Sequence, residues 1–206
     1  MKFSWIYKKL TKPFVIQISN VPQWIKYGII LNFIEHYKIK NFYESGTHLG
    51  LTLKQVADTG ISCTSVELGD DLHKQAKSKF AKYKNIELIH GDSGKVLPEI
   101  IDKFTKPTLF WLDGHYSGKF LGVQTAKGDK HTPINEELAT ILNLLEQGDN
   151  MKSRGHIVLI DDAKLFDGQS GYPTLGDMVN RLQKLKHYRT QVTCDMIQVT
   201  PRKKPK

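Results

Sequence analysis

Residues 41–50 read Asn41-Phe42-Tyr43-Glu44-Ser45-Gly46-Thr47-His48-Leu49-Gly50. A short apolar run ends in an acid, breaks at two glycines, and gives way to helix-like sequence as far as about Asp58. That pattern reads as a buried strand turning into a helix. The same arrangement recurs down the chain. Ser65-Val66 runs into Glu67, Ile89-His90-Gly91 into Asp92, Leu109-Phe110-Trp111-Leu112 into Asp113, and Ile157-Val158-Leu159-Ile160 into Asp161-Asp162. Strands alternating with helices predict an α/β fold with a doubly wound, mostly parallel sheet. Such sheets bind ligands just outside the carboxyl ends of their strands. Acids repeated at that position predict one acidic, hydrogen-bond-accepting rim, suited to hydroxyls, amines or positive charge.

The segments between the strands fill in the rest. Helices are expected over 71–83, over 96–104 from near Pro98, from Thr132-Pro133 to Glu146 with Thr132 as N-cap, and over 174–185. Residues 188–193 and 196–200, joined by the tight Cys194-Asp195 pair, read as a hairpin that adds an antiparallel strand and makes seven in all. Upstream, Trp24, Ile25, Gly28, Ile29, Phe33 and Ile34 recur at helical spacing and predict a helix over 22–36 that packs on the domain. The glycine-rich stretch 114–131 reads as a long loop of the lid kind, with Tyr116, Lys119 and Lys127 as candidate contacts. The expected organisation is a basic helical extension over 1–40, a ligand-binding domain over 41–200 and a basic tail over 201–206.

With 206 residues, 39% of them hydrophobic, the chain suits one domain with a real core. Its net charge of +9 is uneven: +6 over 1–40, −4 over 41–180 and +7 over 181–206. The basic ends read as solvated faces, or as a surface for anionic lipid or nucleic acid. No apolar run approaches the roughly 18 residues of a membrane span, and the N-terminus shows no signal-peptide pattern; the expectation is a cytoplasmic protein. Cys63 and Cys194 read as unpaired core thiols in a reducing compartment.

Three positions carry ligand chemistry. The turn from Glu44 to Gly50, with Gly46, Thr47 and His48 between, lets the backbone approach a ligand at a helix start. Its G-x-x-x-G spacing departs from the G-x-G-x-x-G dinucleotide fingerprint. His48 there is expected to pack or to act through its backbone. Glu67 ends the second strand, where a carboxylate can accept from both hydroxyls of a ribose. Asp92, with Ser93 after it, can accept from the exocyclic amine of adenine, or simply cap the next helix.

These three positions in order resemble the class I S-adenosylmethionine-dependent methyltransferases across residues 41–200. The phrases Phe110-Trp111-Leu112-Asp113-Gly114-His115-Tyr116-Ser117-Gly118, Thr132-Pro133-Ile134 and Ile160-Asp161-Asp162 look like a small bacterial branch with no assigned substrate. The resemblance implies a Rossmann-like methyltransferase fold. It puts the methionine part against Glu44, Gly46, Thr47, His48 and Gly50, the ribose on Glu67, and adenine near Asp92 and Ser93, with Asp113 also touching the cofactor.

Asp113, Asp161 and Asp162 end neighbouring strands, and carboxylates so close repel unless a cation joins them. Mg²⁺ would relieve this, in the manner of the catechol and macrolide-sugar O-methyltransferases that the arrangement resembles. In the alternative, Asp113 touches cofactor or substrate directly and Asp162 caps a turn. His115 is the candidate proton acceptor, beside Asp113 in the catalytic set. The expected function is methyl transfer from S-adenosylmethionine, with or without Mg²⁺, to a hydroxyl or amine of a small-molecule acceptor such as a sugar or polyhydroxylated metabolite. The alternatives are a nucleic-acid methyltransferase or binder, and a non-catalytic nucleotide-binding protein on the same fold. The oligomeric state is open.

Overall fold

The computed structural model describes residues 21–115, 118–120, 123–124, 131–147 and 155–202, with the backbone alone for 119–120 and 123–124. The expectations for residues 1–20, for Tyr116 and Lys127, and for the tail beyond Arg202 lie outside the described residues.

The elements run α1 (Gln23–His36), β1 (Asn41–Ser45), α2 (Leu51–Ala57), β2 (Ser62–Glu67), α3 (Asp70–Lys79), β3 (Ile86–His90), α4 (Ser93–Ile100), β4 (Thr108–Leu112), β5 (Lys119–Phe120), β6 (Val123–Gln124), α5 (Ile134–Glu146), β7 (Ile157–Ile160), α6 (Leu175–Gln183), β8 (Tyr188–Thr193) and β9 (Met196–Pro201). Seven strands form one sheet in the order β3-β2-β1-β4-β7-β9-β8. The first five are parallel; β9 runs antiparallel to both β7 and β8. The doubly wound sheet closed by a hairpin is therefore the architecture found. Cys194 and Asp195 both take left-handed backbone angles at the hairpin turn, which matches the twist of the strands they join. Cys194 thus belongs to the turn rather than to a strand; both cysteines are buried and free.

Strand residues alternate between two cores. Tyr43, Phe110, Leu112, Val158 and Ile160 face α4, α5 and α6. Phe42, Leu109, Trp111, Ile157 and Leu159 face α1, α2 and α3. Within that second core Ile29, Ile30, Phe33 and Ile34 bury one side of α1.

Several boundaries differ from expectation for local reasons. Helix α3 stops at Lys79, and the chain turns through Phe80, whose ring packs edge-on against Tyr83 at 5.5 Å. Helix α4 starts at Ser93, not at Val96, because Asp92 Oδ1 accepts the Gly94 N–H at 2.9 Å; Pro98 lies inside the helix. Pro133, not Thr132, is the N-cap of α5, although Thr132 Oγ1 still accepts the Ile134 N–H at 3.3 Å. Thr174 caps α6 by accepting the Asp177 N–H at 3.1 Å, and the helix ends at Gln183. The stretch read as plain loop over 114–131 carries a short antiparallel ribbon, β5 with β6.

Candidate active site

Register brings the strand-end acids onto one edge. Ser45 pairs with Val66 and with Leu112, Glu67 with His90, and Leu112 with Ile160. Glu67, Asp92, Asp113 and Asp161 therefore all lie at the carboxyl end of the sheet, the last three just past their strands.

On the β1–β2–β3 side the turn is tied down by carboxylates. Glu67 Oε2 accepts the His48 N–H and its Oε1 accepts the Gly69 N–H, both at 2.8 Å. Each oxygen keeps a further lone pair for a ligand hydroxyl. His48 is held left-handed at φ 47°, a costly conformation for a residue with a Cβ. The Gly91 N–H donates to the Glu67 carbonyl at 2.9 Å, so the turn bearing Asp92 and Ser93 abuts the tip of β2. Asp92 is both a rim acid and the α4 cap.

The glycines serve close packing of the turn. At Gly46 (φ +80°) a Cβ would meet the Asp113 carbonyl at 2.9 Å; at Gly50 (φ +64°) it would meet the Phe80 ring at 2.5 Å. The turn thus lies directly on the end of β4. Asp113 N–H donates to Ser45 Oγ at 3.3 Å.

Glu44 does not open onto the rim. It points into the α1–α2–α3 core at 1% exposure and accepts the Ser65 hydroxyl at 2.6 Å, while Ser65 and Thr47 hydroxyls pair at 2.7 Å. Burial pushes its carboxyl up to about 8, against the Ser65 bond, with Asp113 and Glu67 adding to the rise. Its reach is through Ser65 to Thr47, underneath the turn.

The β4–β7 tips hold the densest chemistry. His115 Nδ1 lies 3.5 Å from Asp113 Oδ1, and its Nε2 lies 3.7 Å from Asp162 Oδ2. Burial opposes the imidazolium, but Asp113, then Asp162 and Asp161, outweigh it and raise the His115 pKa. Asp162 adopts φ 50°, a second left-handed non-glycine at the site. Lys164 Nζ bonds Asp162 Oδ1 at 2.8 Å and Asp195 Oδ2 at 2.6 Å. Despite its own burial, Asp162 stays below the usual carboxylate range because of Lys164 and Lys26.

The expected metal set of Asp113, Asp161 and Asp162 is not the set brought together. Among the described residues the ligand atoms that converge, within 4.8 Å of one another, belong to Asp113, His115 and Asp162. Asp161 is taken by Lys26 of α1, whose Nζ lies 2.5 Å from Asp161 Oδ1 and 3.6 Å from Asp162 Oδ1. Burial and Asp113 push Asp161 up to about 7, with Lys26 pulling the other way. Lys26 itself stays charged: burial disfavours its ammonium, but Asp161, Asp162 and Asp113 raise its pKa. Positive charge thus reaches these acids from side chains, from Lys26 at Asp161 and from Lys26 and Lys164 at Asp162.

Two residues absent from the sequence reading complete the site. One is Lys26. The other is Glu137 of α5, which with Leu112, Gly114, His115, Thr132, Ile134, Ile160 and Tyr172 lines a small cleft at the tips of β4 and β7. Glu137 is 1% exposed, and its Oε1 finds no hydrogen-bond partner among the described residues. Burial pushes its carboxyl up to about 7; the hydroxyls of Ser93 and Ser45 hold it down in part. Sequence could have shown both, since each is a charge inside an apolar helical stripe: Lys26 with Ile29, Ile30 and Phe33, and Glu137 with Ile134, Leu138 and Ile141.

Solved structures share this fold. A methyltransferase from Podospora anserina bound to S-adenosylhomocysteine aligns with TM-score 0.59 at 15% identity, over 97% of this chain and 86% of that one. The O-methyltransferase TomG from Streptomyces achromogenes, involved in tomaymycin synthesis and solved with S-adenosylmethionine, gives 0.58 at 15%, over 95% and 84%. An O-methyltransferase from Bacillus cereus with S-adenosylhomocysteine gives 0.55 at 11%, over 96% and 86%. At these identities the likeness is one of fold. No family model matches the chain, and no curated protein matches its sequence. No helix among the described residues is long and apolar enough to cross a membrane.

Proposed function

We propose that this protein transfers the methyl group of S-adenosylmethionine to a hydroxyl or amine of a small molecule. The observation that carries the reading is His115 set between Asp113 and Asp162, at the mouth of the Glu137 cleft and next to the Gly46 turn. Glu67 and Asp92 suit the donor groups of an adenosine, and Glu67 has lone pairs to spare. The rim is acidic, which favours a sulfonium cation.

The cofactor, when bound, supplies an electrophilic methyl on sulfur. The chain then has to hold an acceptor in line with it and remove one proton. His115 Nδ1–H donates to Asp113, which fixes the tautomer and leaves Nε2 to take the acceptor's proton. Asp162 then faces the imidazolium. Glu137, at the floor of the cleft, supplies an acceptor or donor for a second polar group, which favours substrates bearing several hydroxyls. Calorimetry with S-adenosylmethionine and S-adenosylhomocysteine is the test: absence of binding by both below millimolar concentration sinks the reading.

A further inference from the structure

Three carboxylates at adjoining strand tips call for positive charge, and it comes from a helix outside the β–α alternation. We propose that Lys26 stands where a divalent cation would bind between the tips of β4 and β7, so that α1 forms a wall of the acceptor site and the reaction needs no divalent ion. This rests on the methyltransferase reading above.

The geometry argues for it at each donor. Lys26 Nζ contacts both Asp161 and Asp162, so an ion bound to either carboxylate on that side would sit against an ammonium. Asp162 Oδ1 is shared with Lys164, itself anchored on Asp195. Asp162 keeps only Oδ2, and that oxygen faces His115 Nε2. His115 offers its other nitrogen to Asp113. Mg²⁺ demands near-octahedral oxygen ligands at about 2.0–2.1 Å, and Asp161 Oδ1 and Asp162 Oδ1 would each have to leave an ammonium to reach it. The ammonium is also fixed in place: Lys26 is 5% exposed, in the same buried stripe as Ile29, Ile30 and Phe33.

The test is titration of Mn²⁺ into the full chain, followed by calorimetry and water-proton relaxation. The wild type is expected to show no saturable binding below millimolar Mn²⁺. Lys26→Met, which keeps the apolar stem and removes the charge, is expected to gain Mn²⁺ affinity by about tenfold or more, in the range by which neighbours of a metal site tune it. Lys26→Arg should behave as the wild type. If Lys26→Met fails to fold by circular dichroism, Lys26→Gln replaces it, since its amide can still donate to Asp161. Micromolar, stoichiometric Mn²⁺ binding by the wild type overturns the proposal, as does a charge-free variant that binds no better. S-adenosylhomocysteine titrated into the same samples separates the two ideas. Its failure to bind removes the methyltransferase reading and leaves the Mn²⁺ result standing.

Discussion

Lys26 Nζ and Asp161 Oδ1 meet at 2.5 Å across 135 residues of sequence, with both side chains buried. The pair fastens α1 to the working end of the sheet. Removing one partner leaves a buried charge uncompensated, which costs about 3–5 kcal/mol. Lys26→Met and Asp161→Asn are each expected to lower stability by that order in urea titrations. The double variant Lys26→Met with Asp161→Leu should recover most of the loss. Single variants within 1 kcal/mol of the wild type would mean that the pair is solvated.

Glu44 and Glu137 make stability depend on pH. Burial holds both above the ordinary value of 4.5, at about 8 and about 7. The fold therefore prefers their protonated forms. Their contribution is complete below 4.5 and is lost as pH rises toward 7 and then 8. Each group gives a slope of about 1.4 kcal/mol per pH unit across its window. Thermal melts should fall steadily through neutral pH, and Glu44→Gln with Glu137→Gln should lessen that fall, leaving the share of Asp161, also raised to about 7. A wild-type melt flat from acid to mildly alkaline pH contradicts the burial of these two acids.

The strand tips were legible because a parallel sheet imposes a local rule: an apolar run, then an acid, then a turn. Each such unit reports itself within a few residues, so β1 to β4, β7 and the hairpin all stand near their expected positions. Asp92 shows the limit, since one carboxylate caps α4 and also faces the rim, and spacing alone does not separate the two. Partners brought from afar were not legible by that rule. Lys26 reaches Asp161 only after α1 packs on β4 and β7, and Glu137 reaches the cleft only through α5. Their trace in the sequence is a charge within an apolar helical stripe, which makes sense only when a partner or a ligand waits inside. Glu44 fails in the opposite way: strand alternation turned it to the core face beside Phe42, although it ends an apolar run like the others.

Glu67 separates cofactor binding from turn stability. Glu67→Ala removes both acceptors for the His48 and Gly69 N–H groups, which are half-buried, and each lost bond costs about 1 kcal/mol. Glu67→Gln keeps one acceptor oxygen and one lone-pair face. S-adenosylhomocysteine affinity is expected to fall about tenfold in the Gln variant and further in Ala, with the Ala variant alone losing several degrees in its melt, as about 1 kcal/mol moves a domain of this size by 2–4 °C. Equal affinity in wild type and Gln would remove the ribose role.

Gly46→Ala tests the fit of the turn on β4. The new Cβ would lie 2.9 Å from the Asp113 carbonyl, at a φ of +80°. Backbone would have to yield, and left-handed strain of this kind costs about 1–3 kcal/mol. The variant should lose both stability and S-adenosylhomocysteine binding, whereas Gly28→Ala, where a Cβ meets nothing within 4 Å among the described residues, should lose neither. Calorimetry and melts on the two variants together decide it.

His115 governs the pH dependence of turnover. Its pKa is raised above 6.5 although burial pulls it down, because Asp113, Asp162 and Asp161 favour the imidazolium. A base works in its neutral form, so kcat should climb with pH through a value above 6.5 and then level. His115→Ala should lower kcat by about 10²–10⁴, the usual worth of a positioned base, while S-adenosylhomocysteine affinity stays within a factor of about 3. Asp162→Asn removes one of the charges that favour the imidazolium, so its acid limb should move to lower pH, in step with the His115 ring titration followed by NMR. A limb that stays put while the ring titration moves would assign the rate-determining proton to another group. Glu137, raised to about 7 at the floor of the same cleft, is then the residue to replace next.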